Sequence, residues 1–143
     1  GQIDTVGIPL SGYAKENRFK LEFFDVGLLG AMSGIAPATF LNYDFGSYQG
    51  YMAENFVAQE LRAAGDRTFY CWQGRTAEVE FLLEKEGEIV PMEVKSGWVT
   101  QSKSLKIFTD RYHPSKTYIL SANNVNHSDI RHYLPLYTAS LLK

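Results

Sequence analysis

The strongest hydrophobic–polar pattern is a pair of alternating arms in the middle of the chain. Ala-Glu-Val-Glu-Phe-Leu-Leu-Glu runs from Ala77 to Glu84, and Ile-Val-Pro-Met-Glu-Val-Lys runs from Ile89 to Lys95. A short polar link containing Gly87 joins them. Alternation with a period of two on both sides of such a link predicts an antiparallel hairpin. On the first arm, Ala77, Val79, Phe81 and Leu83 are expected on one face, and Glu78, Glu80 and Leu82 on the other. On the second, Val90, Met92 and Val94 share a side opposite Ile89, Pro91, Glu93 and Lys95. A turn centred on Glu86-Gly87 sets the register by counting: Lys85 opposes Glu88, Glu80 opposes Glu93, and Glu78 opposes Lys95. Two opposed glutamates are destabilising unless a cation or a shared proton neutralises them.

Around this hairpin the patterning predicts a flanking set of elements. Gln2 to Asn17 reads as irregular, with Pro9 and Gly12 as punctuation. Phe19 to Phe24 reads as a short strand, followed by a helix from Val26 to Ser33 that Asp25 caps and Gly34 closes. Ile35 to Ser47 reads as a loop broken by Pro37. Its aromatics Phe40, Tyr43 and Phe45, with Tyr48 and Tyr51 beyond it, are expected to pack across a sheet, although such rings can also stack on bases.

Gly50 to Ala64 has helical spacing at Met52, Phe56, Val57 and Leu61, and Gly65-Asp66 stops it. Glu54 falls at the edge of that apolar stripe. Thr68 to Gln73 reads as a strand leading into the hairpin. Ser102 can cap a helix to about Tyr112 with Leu105, Phe108 and Tyr112 facing inward. A right-handed crossover through that helix leads to a strand over Lys116 to Ser121, parallel to the second hairpin arm. Ala122 to His132 reads as a polar loop, and Tyr133 to Leu142 as a strand, a helix, or both in succession. The whole is an α/β (α+β) chain with a mixed central sheet flanked by helices. Residues 1–47 read as an N-terminal connecting segment and residues 48–143 as the core domain.

Composition changes this picture little. With 143 residues, 45% hydrophobic and 21% charged, the chain has an ordinary globular make-up and no apolar run long enough for a membrane span. One cysteine, Cys71, rules out an internal disulfide and suits a reducing cytoplasm. Placed in a Tyr-Cys-Trp strand, it reads as core filler. His113, His127 and His132 make no zinc-ligand pattern with it. A net charge of -2 argues against a strongly basic nucleic-acid binder. The distribution is uneven, however: acids crowd from Glu78 to Glu93, and bases (Lys95, Lys103, Lys106, Arg111, Lys116) succeed them from Lys95 onward. An acidic cluster able to hold a cation thus adjoins a basic stretch able to meet phosphate, with Lys103 and Lys106 the candidate phosphate contacts. Solvated charged faces would look the same.

Glu80, Glu93 and Lys95 are the residue types that metal-assisted phosphodiester hydrolysis needs. Carboxylates are hard ligands for Mg²⁺, or for Mn²⁺ in its place. The cation activates water and shields charge on phosphorus, and a lysine beside it can hold the phosphate. Glu54 adds a third carboxylate if its helix packs over this face.

Gly50 and Glu54 on a helix, Glu80 on a strand, and Glu93-x-Lys95 on the next strand resemble the PD-(D/E)XK nuclease-like superfamily. Phe19-Lys20-Leu21 through Leu29, Glu54 through Leu61, and Ile89 through Gly97 are similar to the C-terminal domain of unknown function in many bacterial and archaeal AAA-type ATP-binding proteins. The resemblance implies a restriction-endonuclease-like fold with catalytic Glu54, Glu80, Glu93 and Lys95, and with Glu54, Glu80 and Glu93 on the metal. It also implies nucleic acid as partner, DNA first, with an ATPase domain preceding this one in a cytoplasmic protein. A non-catalytic module of that ATPase, gripping nucleic acid or protein through a salt-bridge network, is the other reading. No Gly-rich stretch ends in Gly-Lys-Ser/Thr, so no P-loop ATP site is expected here. The chain departs from the superfamily at Glu80, where Asp is usual.

Overall fold

The computed structural model describes residues 1–36, 38–39, 48–65 and 68–142. A mixed sheet of seven strands forms its centre: β1 (Gln2–Ile3), β2 (Tyr70–Gln73), β3 (Glu78–Lys85), β4 (Glu88–Val94), β5 (Thr117–Ser121), β6 (Asn126–Ser128) and β7 (Arg131–Pro135). Across the sheet they run β1-β2-β3-β4-β5-β7-β6. The helices are α1 (Val26–Met32), α2 (Gln49–Ala63) and α3 (Lys103–Tyr112), with 3-10 turns at Leu10–Tyr13 and Leu136–Leu141.

The central hairpin forms in the expected register, with Lys85 opposite Glu88 and Phe81 opposite Met92. Its two turn residues both have positive φ, 53° at Glu86 and 78° at Gly87, the conformation that matches the twist of a two-residue hairpin. Glycine adopts it freely, whereas Glu86 is held there by the strands on either side. The expected alternation along β3 does not hold. Tyr70 pairs with Leu82 and Trp72 with Val79, so β3 carries one residue more than β2 over this step. The bulge re-aims the strand. Ala77, Val79 and Leu82 pack with Trp72, Leu105 and Phe108 on the α3 side. Phe81 and Leu83 pack with Val57, Leu61, Val90 and Met92 on the α2 side. The β3–β4 ladder runs from the Lys85–Glu88 pair to the Phe81–Met92 pair, so Glu78 is not a ladder partner of Lys95.

Two apolar layers therefore sandwich the sheet. Helix α2 buries Met52, Val57 and Leu61 as its spacing predicts. Helix α3 starts where Ser102 accepts a hydrogen bond from Leu105 N at 3.0 Å and ends at His113, which is left-handed with φ 48°. It carries the chain from β4 to β5, and these strands pair in parallel, as expected of a crossover. Pro91, which has no N–H, sits just before the Met92–Val94 stretch that pairs with β5. After β7 the chain goes straight into the terminal 3-10 turn, so strand and helix occur in succession.

Three expectations fail for physical reasons. Residues 19–24 form no strand: Phe19 and Leu21 are exposed, and the Phe23 backbone bonds to the side chain of Asn55 instead of to another strand. The polar segment after Ala122 contains β6 and the start of β7, where backbone pairing makes strands without any buried stripe. The opening residues are not simply irregular, because β1 adds to the sheet and Ile3 and Leu10 pack in the core with Trp72 and Phe108. The aromatics Phe40, Tyr43 and Phe45, with Pro37 and Asp66, lie outside the described residues.

Candidate functional site

The acids and lysines collect at one end of the sheet, where β3 begins and β4 ends. Asp25 caps α1 through Leu28 N at 2.7 Å, and just before it the chain runs beside α2 as an extended strap. Polar groups of α2, buried Asn55 and half-buried Gln59, hold that strap. Asn55 Nδ2 donates to Phe23 O at 3.0 Å, and Asn55 Oδ1 accepts from Phe23 N at 2.7 Å, so one amide imitates a strand neighbour. Gln59 accepts from Val26 N at 2.9 Å. The strap delivers Lys20, whose Nζ lies 2.7 Å from Glu54 Oε2 and 3.4 Å from Glu78 Oε1. Burial pulls the Lys20 pKa down. The hydrogen bond and charge of Glu54, with Glu78 and Glu80, more than reverse this and hold it above its ordinary value.

Glu80 sits at the bulge. Beyond the last β3–β4 ladder pair, Val94 N donates to Glu80 Oε2 at 3.3 Å, and the side chain takes a bond that a strand carbonyl would otherwise take. Glu80 and Glu93, the positions next after the Phe81–Met92 pair, lie close enough for the Glu93 carboxylate to act on Glu80. Burial first, and then the charge of Glu93, push the Glu80 carboxyl up to about 9. As two ionised carboxylates, the pair has no hydrogen to share, and buried Glu93 Oε2 has no hydrogen-bond partner. With one proton between them, the two hydrogen-bond. Glu93 is 3% exposed, and its other oxygen takes Lys95 Nζ at 2.7 Å. Lys95 itself is anchored by its N–H to Leu120 O at 2.8 Å.

Four acids (Glu54, Glu78, Glu80, Glu93) thus face two lysines, Lys20 and Lys95. Full ionisation leaves an excess of two negative charges, which a proton reduces and a divalent cation cancels. Glu22 lies at the margin, its carboxyl also raised, by burial first. Carboxylate oxygens are donors for hard divalent cations. Mg²⁺ keeps several waters and commonly takes only one or two protein carboxylates, which is what Glu80 and Glu93, with its unpartnered oxygen, present. A site of three converging ligands does not occur: among the described residues no group of three or more His, Cys, Asp or Glu is arranged to hold a metal ion. Glu54 is committed to Lys20.

The remaining candidates stand apart from this cluster. Lys103 and Lys106 are exposed on the first turns of α3, Lys106 pairing with Asp110 at 2.7 Å. Helix α3 nevertheless reaches the site, because Glu78 N donates to Ser104 Oγ at 3.3 Å. His127 and His132 stack at 6.4 Å between centroids, and Cys71 is buried, its thiol raised by burial and then by Glu78. Tyr48 and Tyr51 do not pack across the sheet as expected. Both are exposed, at the start of α2.

Lys20, Asn55 and Gln59 are the residues that reading along the chain misses. An Asn inside an apolar helical stripe is a signal of a buried polar role. Nothing local in Phe-Lys-Leu-Glu-Phe says that its lysine reaches a helix 34 positions away.

A mixed α/β domain with a carboxylate–lysine cluster at the end of its central hairpin is thus the class that fold and site define. Residues 49–139 match the family described as "Domain of unknown function (DUF4143)", more than half of the chain, and the chain belongs to that family. No curated protein and no solved structure matches it. Among the described residues no helix is long and apolar enough to cross a membrane.

Proposed function

We propose that this domain is a Mg²⁺-dependent phosphodiesterase of the PD-(D/E)XK type that acts on nucleic acid, and that it serves as the C-terminal part of an AAA-type ATPase. The observation that carries the reading is the Glu80–Glu93 pair, half-buried and buried respectively and short of one cation, with the Lys95 ammonium 2.7 Å from Glu93. Two acids are rarely buried together without a proton or a metal between them.

Glu80 and Glu93 would hold the ion, with retained waters completing its shell. When bound, the ion supplies positive charge at a phosphoryl oxygen and makes water a better nucleophile at neutral pH. The chain's own groups do the rest. Lys95 donates to a non-bridging phosphate oxygen and stabilises the charge that grows there. Glu93 orients that ammonium through its other oxygen. Glu54, which lines a cavity at the start of α2, offers a carboxylate to the incoming water once Lys20 lets go. As the P–O bond to the leaving strand breaks, the departing oxygen takes a proton from solvent.

One observation favours the second reading, a non-catalytic module. Lys20 closes an ion-pair network with Glu54 and Glu78, which already gives Glu54 a cationic partner without any metal. Calorimetric titration with Mg²⁺ and Mn²⁺ separates the two. The phosphodiesterase reading expects binding in the wild type, loss in Glu93→Gln and retention in Lys95→Ala, with Mg²⁺-dependent cleavage of DNA or RNA oligonucleotides by the wild type only. No binding and no cleavage, with substrate phosphate present, leaves the module.

A further inference from the structure

The face of the sheet that α3 covers holds a cavity of about 390 Å³ that the proposed chemistry does not use. Three cationic side chains line it: Lys103 and Lys106 from the first turns of α3, and Arg131 from the start of β7. Among the described residues, no carboxylate lines it. Buried Leu105 and Ile119 supply its apolar part, with half-buried Tyr133 beside them.

The fold accounts for the meeting of these bases. Lys103 and Lys106 are three apart, so they share one side of the helix. Ile119 and Tyr133 are register partners across β5 and β7, and both belong to the apolar layer under α3. Arg131 lies two positions before Tyr133 on the same strand and so projects to that face as well. The rim is held in place. Ser102 Oγ accepts from Leu105 N at 3.0 Å, and the loop before it is tied to the β5–β6 connection by Asn123 Nδ2, which donates to Trp98 O at 2.8 Å.

What the cavity offers is hydrogen-bond donors. Lys103 and Arg131 form no ion pair among the described residues. Lys106 is shared with Asp110, but both side chains are exposed and such a pair holds weakly. Ser102 Oγ uses an acceptor position on the helix and keeps its own O–H to give.

Charge and space together point to the occupant. A nucleic-acid strand carries one charge per phosphate and needs a row of bases to follow it. Here the bases collect at one cavity, and the row stops: the next charged residue after Lys106 is Asp110, and the one before Arg131 is Asp129. A phosphate monoester instead concentrates nearly two charges and three acceptor oxygens on a single group. The volume is at the small end of ligand sites, enough for that group and one compact organic part.

We infer that this cavity binds a phosphate monoester of a small molecule, about the size of a nucleoside monophosphate. Lys103, Lys106 and Arg131 take the phosphate, and the organic part lies against Tyr133, Leu105 and Ile119. The site is independent of the metal and of the phosphodiesterase reading.

Calorimetry in EDTA, so that no divalent cation takes part, tests this. The chain is titrated with adenosine and uridine 5′-monophosphate, glucose 6-phosphate, inorganic phosphate, sulfate and adenosine. At least one monoester is expected to bind, more tightly than inorganic phosphate or sulfate, and adenosine is expected not to bind. Arg131→Gln and Lys103→Gln should each weaken that monoester about 10-fold or more, as for a lost hydrogen bond to a charged group. Lys116→Gln, at an exposed lysine outside the cavity, should leave its affinity unchanged. All three positions are exposed, and a thermal melt of each variant confirms that it is folded. No monoester bound at about 10 mM, where a millimolar site is nearly full, would overturn the inference. So would affinity that Arg131→Gln and Lys103→Gln leave unchanged, or sulfate and inorganic phosphate binding as tightly as every monoester. An oligonucleotide without a terminal phosphate that displaces the monoester completely would overturn it too, by giving the three bases to a strand.

Discussion

Lys20 Nζ and Glu54 Oε2 lie 2.7 Å apart, a salt bridge that closes a strap of extended chain onto a helix 34 positions away in sequence. Both side chains are more than two-thirds buried, so the pair is screened less than a surface bridge. It fastens the strap, and it also occupies the carboxylate that the proposed chemistry needs. Lys20→Met should therefore do two opposite things. Stability should fall by about 1–2 kcal/mol, as for a lost hydrogen bond to a charged group, while Mn²⁺ should bind several-fold more tightly because Glu54 is freed. Thermal melts with and without Mn²⁺ check both. A variant that binds the ion no better shows that Lys20 and the cation do not compete.

The raised pKa of Glu80 fixes the sign of a pH effect. The folded state keeps a proton that the unfolded chain has given up between the ordinary carboxylate range and about 9. The unfolded state binds fewer protons there, so stability falls as pH rises through that window, by up to ~1.4 kcal/mol per pH unit. In EDTA, Glu80→Gln should melt at a temperature nearly independent of pH from about 5 to about 8.5, whereas the wild type loses several degrees. Metal binding replaces the same proton, so Mg²⁺ affinity in the wild type should increase with pH.

Asn55 makes both of its described hydrogen bonds to the backbone of one residue, Phe23. Asn55→Ala leaves the N–H and the C=O of half-buried Phe23 without their partners and should cost about 2–3 kcal/mol. Asn55→Asp should cost at least as much, since a carboxylate cannot donate to Phe23 O. Urea denaturation measures the loss. Limited proteolysis should show new cutting within residues 18–24 if the strap is what the amide holds.

Lys95 contacts the carboxylate pair from outside it. On the phosphodiesterase reading, Lys95→Ala should lower cleavage at least ~100-fold, as removal of a transition-state charge donor does, yet leave Mg²⁺ affinity within a few-fold. Single-turnover cleavage alongside calorimetry tests this. Equal losses of metal affinity and rate would place Lys95 in the architecture of the acids, not at the phosphate.

Much of the fold and of the acid pair is legible along the chain because it depends on local rules. The Glu86-Gly87 turn sets the hairpin register, Ser102 and Asp25 announce two helix starts, and the apolar stripe of Met52, Val57 and Leu61 marks α2 and the face it buries. The same count places Glu80 near Glu93. What escapes depends on distant partners. The bulge that turns Val79 and Phe81 to opposite sides arises from β3 meeting β2, and alternation within β3 cannot reveal it. The strap looks like a strand because Phe19, Leu21 and Phe23 alternate, yet its partner is an amide side chain on α2. β6 carries no apolar stripe at all, and only pairing with β7 makes it a strand.

The length of the Glu80 side chain has a structural use as well. Beyond the last β3–β4 ladder pair, Val94 N finds an acceptor in Glu80 Oε2 at 3.3 Å. Aspartate is shorter by one carbon–carbon bond, about 1.5 Å, and from the same backbone would fall short of Val94 N. Side-chain length therefore sets the reach of the site: in this chain, exchanging Glu80 for aspartate would leave Val94 N without this acceptor.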